Sequence, residues 1–234
     1  MPETIKLVYT FEIQDGKDSR FEIQLERETL ALIADEREDL PDWTKLKFHQ
    51  CANCPLKKRQ HKHCPIAGNL VGIVENFSDL LSHEKARVTV ECEERTYQKD
   101  TTVHAGLSSM LGIVMTTSGC PVMEPLKPMV RFHLPFASIE ETIFRMTSMY
   151  LLAQYLRKQE GLSHDWDLSG LAQIYSDVSK ANKDFSERLA QAAEKDANVN
   201  ALVELDVFAS MVQLLAEDAM SELKPYYSAY LEQS

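Results

Sequence analysis

Apolar and polar residues alternate at Ile5, Leu7, Tyr9, Phe11 and Ile13, and again at Phe21, Ile23 and Leu25. A period of two sets alternate side chains on one face, so both runs predict half-buried strands. Asp15-Gly16-Lys17-Asp18 lies between them and predicts the turn of a β-hairpin. Val88, Val90 and Cys92 alternate with Thr89, Glu91 and Glu93, giving another strand, and Arg95 to Val103 suits its antiparallel partner.

Elsewhere the period lengthens to that of a helix. Ile66, Leu70, Ile73, Val74, Phe77, Leu80 and Leu81 share one face, predicting a helix over 65–81 with Pro65 in its first position and Cys64 at its cap. From Thr101 through Met123 there is no Asp, Glu, Lys or Arg. That stretch reads as a buried central helix over 107–117, stopped by Gly119. Prolines 121, 125, 128 and 135 then punctuate a connection around a short extended run, Val130 to Leu134.

The last hundred residues differ in kind: no proline falls between Pro135 and Pro225, and no glycine after Gly170. Ser138-Ile139-Glu140-Glu141 is a capping box that opens a helix carrying Ile143, Met146, Tyr150 and Tyr155. Leu168, Leu171, Ile174, Tyr175, Val178, Phe185 and Leu189 define a second long helix, and Leu205, Phe208, Met211, Val212 and Leu215 a third. The expected fold is α+β: an antiparallel sheet with two packed helices, followed by an all-helical C-terminal part of three or more helices. Residues 1–136 form the α+β region that carries the cysteine site. Residues 137–234 form the helical region, either a separate domain or a continuation of the first.

Composition narrows the chemistry. The 234 residues are 44% hydrophobic and 26% charged, which is globular usage, and no apolar run is long enough to span a membrane. A net charge of -11 makes nucleic acid an unlikely main partner, because phosphate binding needs a basic footprint. The charge is uneven, though. No acidic residue occurs between Asp42 and Glu75, a window holding Lys45, Lys47, Lys57, Lys58, Arg59 and Lys62 with Cys51, Cys54 and Cys64. Five cysteines without a secretory signal favour free thiols or thiolates and a cytoplasmic location.

Cys51 and Cys54 make a C-x2-C pair, with Cys64 ten residues on. Thiolates at that spacing can turn to one cation, so the first expectation is a structural or regulatory metal site closed by Cys51, Cys54, Cys64 and Cys120. Zinc is the expected metal and an iron–sulfur cluster the alternative, since Pro55, Pro65 and Pro121 each follow a cysteine. His63 and His104 are rival ligands, as are His49, His61 and His133. Cys92 shares a strand face with Val88 and Val90 and reads as a small buried hydrophobe.

Two other classes compete. An enzyme would use Cys120 or Cys64 as a low-pKa nucleophile, with His133 or His104 as base and Arg131 holding a small anionic substrate. An adaptor without site chemistry would dock an acidic partner on the basic run Lys57 to His63, which otherwise reads as a solvated loop. G-x-S-x-G, H-E-x-x-H, Walker A and G-x-G-x-x-G motifs are absent from the sequence. The helical part offers a surface for self-association or a protein partner, with Tyr226, Tyr227 and Tyr230 as candidate contacts.

Overall fold

The computed structural model describes residues 3–231 except 15–17, 35, 36, 38, 79, 193–196, 207, 208 and 210–222. It has the expected α+β architecture. β1 (Thr4–Ile13), β2 (Ser19–Glu26), β3 (Lys85–Glu91) and β4 (Thr96–Thr102) form an antiparallel sheet in the order β2-β1-β3-β4. The predicted turn of the first hairpin falls on 15–17, outside the described residues.

The sheet is one-sided. Tyr9 pairs with both Phe21 and Val90, and Phe11 pairs with Val88, so the apolar alternation of three strands falls on a single face. The opposite face carries ion pairs such as Lys6–Glu22 and Arg87–Asp100. Antiparallel sheets commonly bury one face and leave the other in water, and the alternation records that choice.

Helices cover the apolar face. α1 (Pro65–Asn76) and α2 (Val103–Thr117) pack there. α1 ends five residues earlier than its period suggests, because Phe77 leaves the helix to stack its ring against Phe11 and Phe21 at 5.0 Å and 5.4 Å between centroids. α2 is the expected central helix, begun four residues sooner and stopped at Gly119 with φ 85°. Gly106 lets it approach the sheet: a Cβ there would stand 2.6 Å from the Phe11 ring and 2.7 Å from Val88.

After α2 the chain makes a short helix, α3 (Lys127–Arg131), which takes in Val130 and Arg131, the first two residues of the expected extended run Val130 to Leu134. Pro128 is the reason. Proline is at home in a first helical turn, where its missing N–H has no intrahelical partner to lose, and here it starts a helix instead of breaking one. α4 (Ile139–Gln159) opens with the full capping box of Ser138 and Glu141, and α5 (Ser169–Ala190) follows. Asp165 ties the two together: its carboxylate accepts the Tyr150 hydroxyl at 2.8 Å and the Gly170 N–H at 2.8 Å. Residues 197–206 are helical (α6); most of the predicted third helix lies outside the described residues. α7 (Ser228–Leu231) is a single exposed turn. One buried apolar cluster runs from Ile5 to Ala209, so α4, α5 and α6 share a core with the sheet.

Candidate functional site

The four expected metal ligands are partly gathered and do not make a metal centre. Cys51 and Cys54 sit in a turn closed by the bond from the Cys54 N–H to the Cys51 carbonyl. α5 holds that turn: Asp184 accepts the Ala52 N–H at 2.6 Å and the Asp177 carbonyl accepts the Asn53 amide at 2.8 Å. Cys64 caps α1 and Cys120 follows Gly119, both buried. The four thiols lie within electrostatic reach of one another.

Yet among the described residues no group of three or more His, Cys, Asp or Glu side chains is arranged to hold a metal ion. The metal-binding function expected for Cys51, Cys54, Cys64 and Cys120 is therefore overturned. The physical reason lies in how each sulfur is used. The Cys51 thiol is turned toward the Ala181 carbonyl, 3.8 Å away, and its burial pushes the pKa up to about 12. The Cys64 and Cys120 sulfurs face their own following turns. The N–H groups of Ile66 and Ala67, and of Val122 and Met123, pull the thiol pKa values down, but burial outweighs them and both stay raised. At Cys64 these N–H groups act as dipoles, since the helix has no side-chain cap bond.

The same burial corrects the nucleophile reading. A reactive cysteine needs a stabilised thiolate, whereas Cys64 and Cys120 are held in the thiol form at neutral pH. The histidines named as rival ligands or bases are engaged by other partners. His63 Nδ1 bonds the Thr44 hydroxyl at 2.7 Å. His104 Nδ1 faces the Ser82 carbonyl at 2.8 Å, and its Nε2 lies 3.7 Å from Glu204 on α6. Arg131 lies at the end of α3 with its guanidinium over the Phe132 ring, so it does not share an extended face with His133. The run Lys57 to Lys62 is exposed. Cys92 packs against the core while keeping partial exposure.

Sequence reasoning missed the residue that organises this loop. Arg188 of α5 is 1% exposed. Its guanidinium donates to the carbonyls of Trp43, Lys45, Leu46 and His49 at 2.7, 2.9, 3.3 and 3.2 Å. Burial lowers its pKa, and the neighbouring thiols Cys64, Cys51 and Cys54 act to raise it. A signal was there: Arg188 falls three residues after Phe185 and next to Leu189, on the apolar face of the helix.

The second place where chemistry gathers is a cavity of about 260 Å³ beside α2. Its apolar walls include Ile113, Met115, Met129, Val130 and Leu205, and its polar groups include Ser109, His133, Arg145 and Tyr175. Lys99 stands at its edge, on the helix-covered face of β4, since it pairs with Val88. Lys99 lies 5.9 Å from the Phe136 ring centre and close enough to Glu204 to lower that carboxyl's pKa, though burial raises it overall.

One wall of the cavity is a hydrogen-bonded chain. His133 Nε2 lies 2.6 Å from the Tyr9 hydroxyl, which lies 2.9 Å from Ser109 Oγ. Burial raises the Tyr9 pKa strongly, so the phenol keeps its proton and shares it within the chain, its direction following the His133 tautomer. His133 keeps some exposure, but closely packed surroundings lower its pKa to about 3, with the Arg145 charge acting in the same sense. Ser109 Oγ is 3.4 Å from Nε2, a spacing that suggests a serine–histidine pair. Burial holds this imidazole well below the near-neutral range that suits a general base, and no carboxylate orients its ring among the described contacts. Ser109 and His133 line the cavity, and Tyr9 ties them together from behind, fully buried.

Arg145 is the polar group with capacity to spare. One terminal nitrogen donates to the Met129 and Phe132 carbonyls at 3.0 and 2.9 Å. No carboxylate stands within ion-pair distance of Arg145 among the described residues.

Fold and cavity together define a one-sided antiparallel sheet roofed by helices that leave a space large enough for a small molecule. Residues 7–228 match the family described as Domain of unknown function (DUF6901), and the chain belongs to that family. No curated protein and no solved structure matches it. Among the described residues, no helix is long and apolar enough to cross a membrane.

Proposed function

We propose that this protein binds a small, mainly apolar molecule bearing an anionic end in the cavity beside α2. The carrying observation is the cavity itself, apolar over most of its wall and containing one guanidinium, Arg145, that makes no ion pair among the described residues. A cavity of about 150 Å³ holds benzene, and drug-sized ligands occupy roughly 300–1,000 Å³, so 260 Å³ suits a molecule of about ten heavy atoms. Arg145 meets the anionic end with a planar fork suited to carboxylate. Lys99 is a poorer anchor because Glu204 already answers its charge. The neutral His133 and the Ser109 hydroxyl offer hydrogen bonds without adding charge to the wall. A cytoplasmic location accords with this reading, since all five cysteines are free and suit a reducing compartment.

Calorimetric titration of the full chain with decanoate and with decanol tests it. Decanoate is expected to bind at least tenfold more tightly, and Arg145→Lys, which keeps the charge and loses the fork, to narrow that gap. Equal affinities would remove the anionic end from the proposal. Absence of heat with both ligands, together with no rise in melting temperature at millimolar ligand, would remove the cavity as a binding site.

A further inference from the structure

α4 is apolar on two opposite sides. Its inner side buries Ile143, Met146 and Tyr150. Its outer side presents Phe144, Leu152, Tyr155 and Leu156, each between 45% and 57% exposed, with Leu151 partly covered between them. A helix that is apolar all round is normally covered all round. Four large half-exposed side chains along one ridge make a contiguous patch of the kind that marks an association surface.

We propose that this ridge is the interface with a second copy of the same chain, with the two α4 helices packed antiparallel about a twofold axis. The argument is one of self-complementarity, since a twofold interface must match itself. An axis crossing α4 midway between Ser148 and Leu151 sets Phe144 opposite Tyr155 of the second copy, and Ser148 opposite its Leu151. The small Ser148 sits where the helices approach most closely. Charge follows the same register. Glu140 in the first turn and Lys158 in the last lie on one flank of the ridge, 18 residues and therefore five full turns apart. In an antiparallel pair equal flanks meet, so Glu140 of each copy faces Lys158 of the other, twice. In a parallel pair opposite flanks meet, so neither residue would find the other across the interface. Neither residue has an ion-pair partner among the described residues.

Sedimentation velocity on the full chain between about 1 and 100 µM, a range that reveals a modest dimer constant, reads the outcome. The wild type is expected to reach twice its 26.7 kDa mass. Tyr155→Glu with Leu152→Lys should return it to the monomer without change in circular dichroism. Lys158→Glu should weaken the dimer about tenfold by placing like charges together, and adding Glu140→Lys should restore it. A wild type that stays monomeric at 100 µM overturns the proposal. So does a dimer that survives the double substitution in the ridge, because its interface would lie elsewhere. Lys158→Glu left equally weak after Glu140→Lys overturns the antiparallel register.

Discussion

α4 and α5 are neighbours of almost equal length, 21 and 22 residues, and they use their sequences in opposite ways. α5 keeps one apolar face and turns it inward, with Leu171, Tyr175, Val178, Phe185 and Leu189 buried. Two polar residues interrupt that face, Asn182 and the charged Arg188, whose guanidinium is enclosed by backbone carbonyls. α4 keeps polar termini and spreads large apolar side chains over both its inner and outer sides. The difference teaches where each helix spends its interactions. α5 is completed by its own chain, down to the loop of Cys51 and Cys54 that it holds in place. α4 is left with apolar surface that stays half-exposed among the described residues.

The comparison can be broken first at Arg188. Replacing it with alanine removes the guanidinium's donors to four carbonyls and leaves a hole in the core, so Arg188→Ala should cost about 3–5 kcal/mol, read from urea unfolding midpoints. A loss under about 1 kcal/mol would mean that the loop holds itself. Next come the two sides of α4. Ile143→Ala on the inner side should cost about 2–5 kcal/mol. Leu152→Ala on the outer side should change the stability of the monomer by no more than about 0.5 kcal/mol. Similar costs for the two would erase the distinction between buried and leftover apolar surface.

The cavity shared by α4 and α5 gives a pH test of intermediate size. The pKa of His133 is about 3 in the folded protein, well below the ordinary histidine value. Its neutral form is therefore favoured by folding. That stability is complete above the unfolded-state pKa near 6.5 and is lost progressively as pH falls from there toward 3. Between pH 7 and pH 5 the protein should lose up to about 2 kcal/mol through this group, and His133→Asn should flatten that part of the pH–stability curve. An unchanged slope in the variant would place the acid sensitivity elsewhere.

Much of the fold was legible because it rests on period and on local chemistry. The alternation at Ile5 to Ile13 and the capping box at Ser138 state their structures directly. The charge-free run from Thr101 to Met123 correctly announced a helix with no side in water, since Val103 to Thr117 is buried or nearly so throughout. The connection at 127–134 was misread because Pro128 can open a helix as readily as interrupt one.

The sites were harder. C-x2-C spacing shows that two thiols can meet, but not whether they face an ion or a neighbouring carbonyl, and Cys51 faces Ala181. The cavity is assembled from β4, α2, the connection after it, α4, α5 and α6, so no single stretch of sequence carries it. Its traces are Lys99 at an inward position of β4 and His133 beside an apolar run, each unremarkable alone.

The central claim is that the space beside α2 is kept open for a ligand, and Gly112→Leu tests it most directly. Gly112 lines that space, and a Cβ added there would meet only ordinary contact with Leu205 at 3.6 Å. Filling the cavity should raise the melting temperature of the ligand-free protein and abolish its response to decanoate. A variant that melts lower than the wild type and still binds decanoate with unchanged affinity would contradict the account.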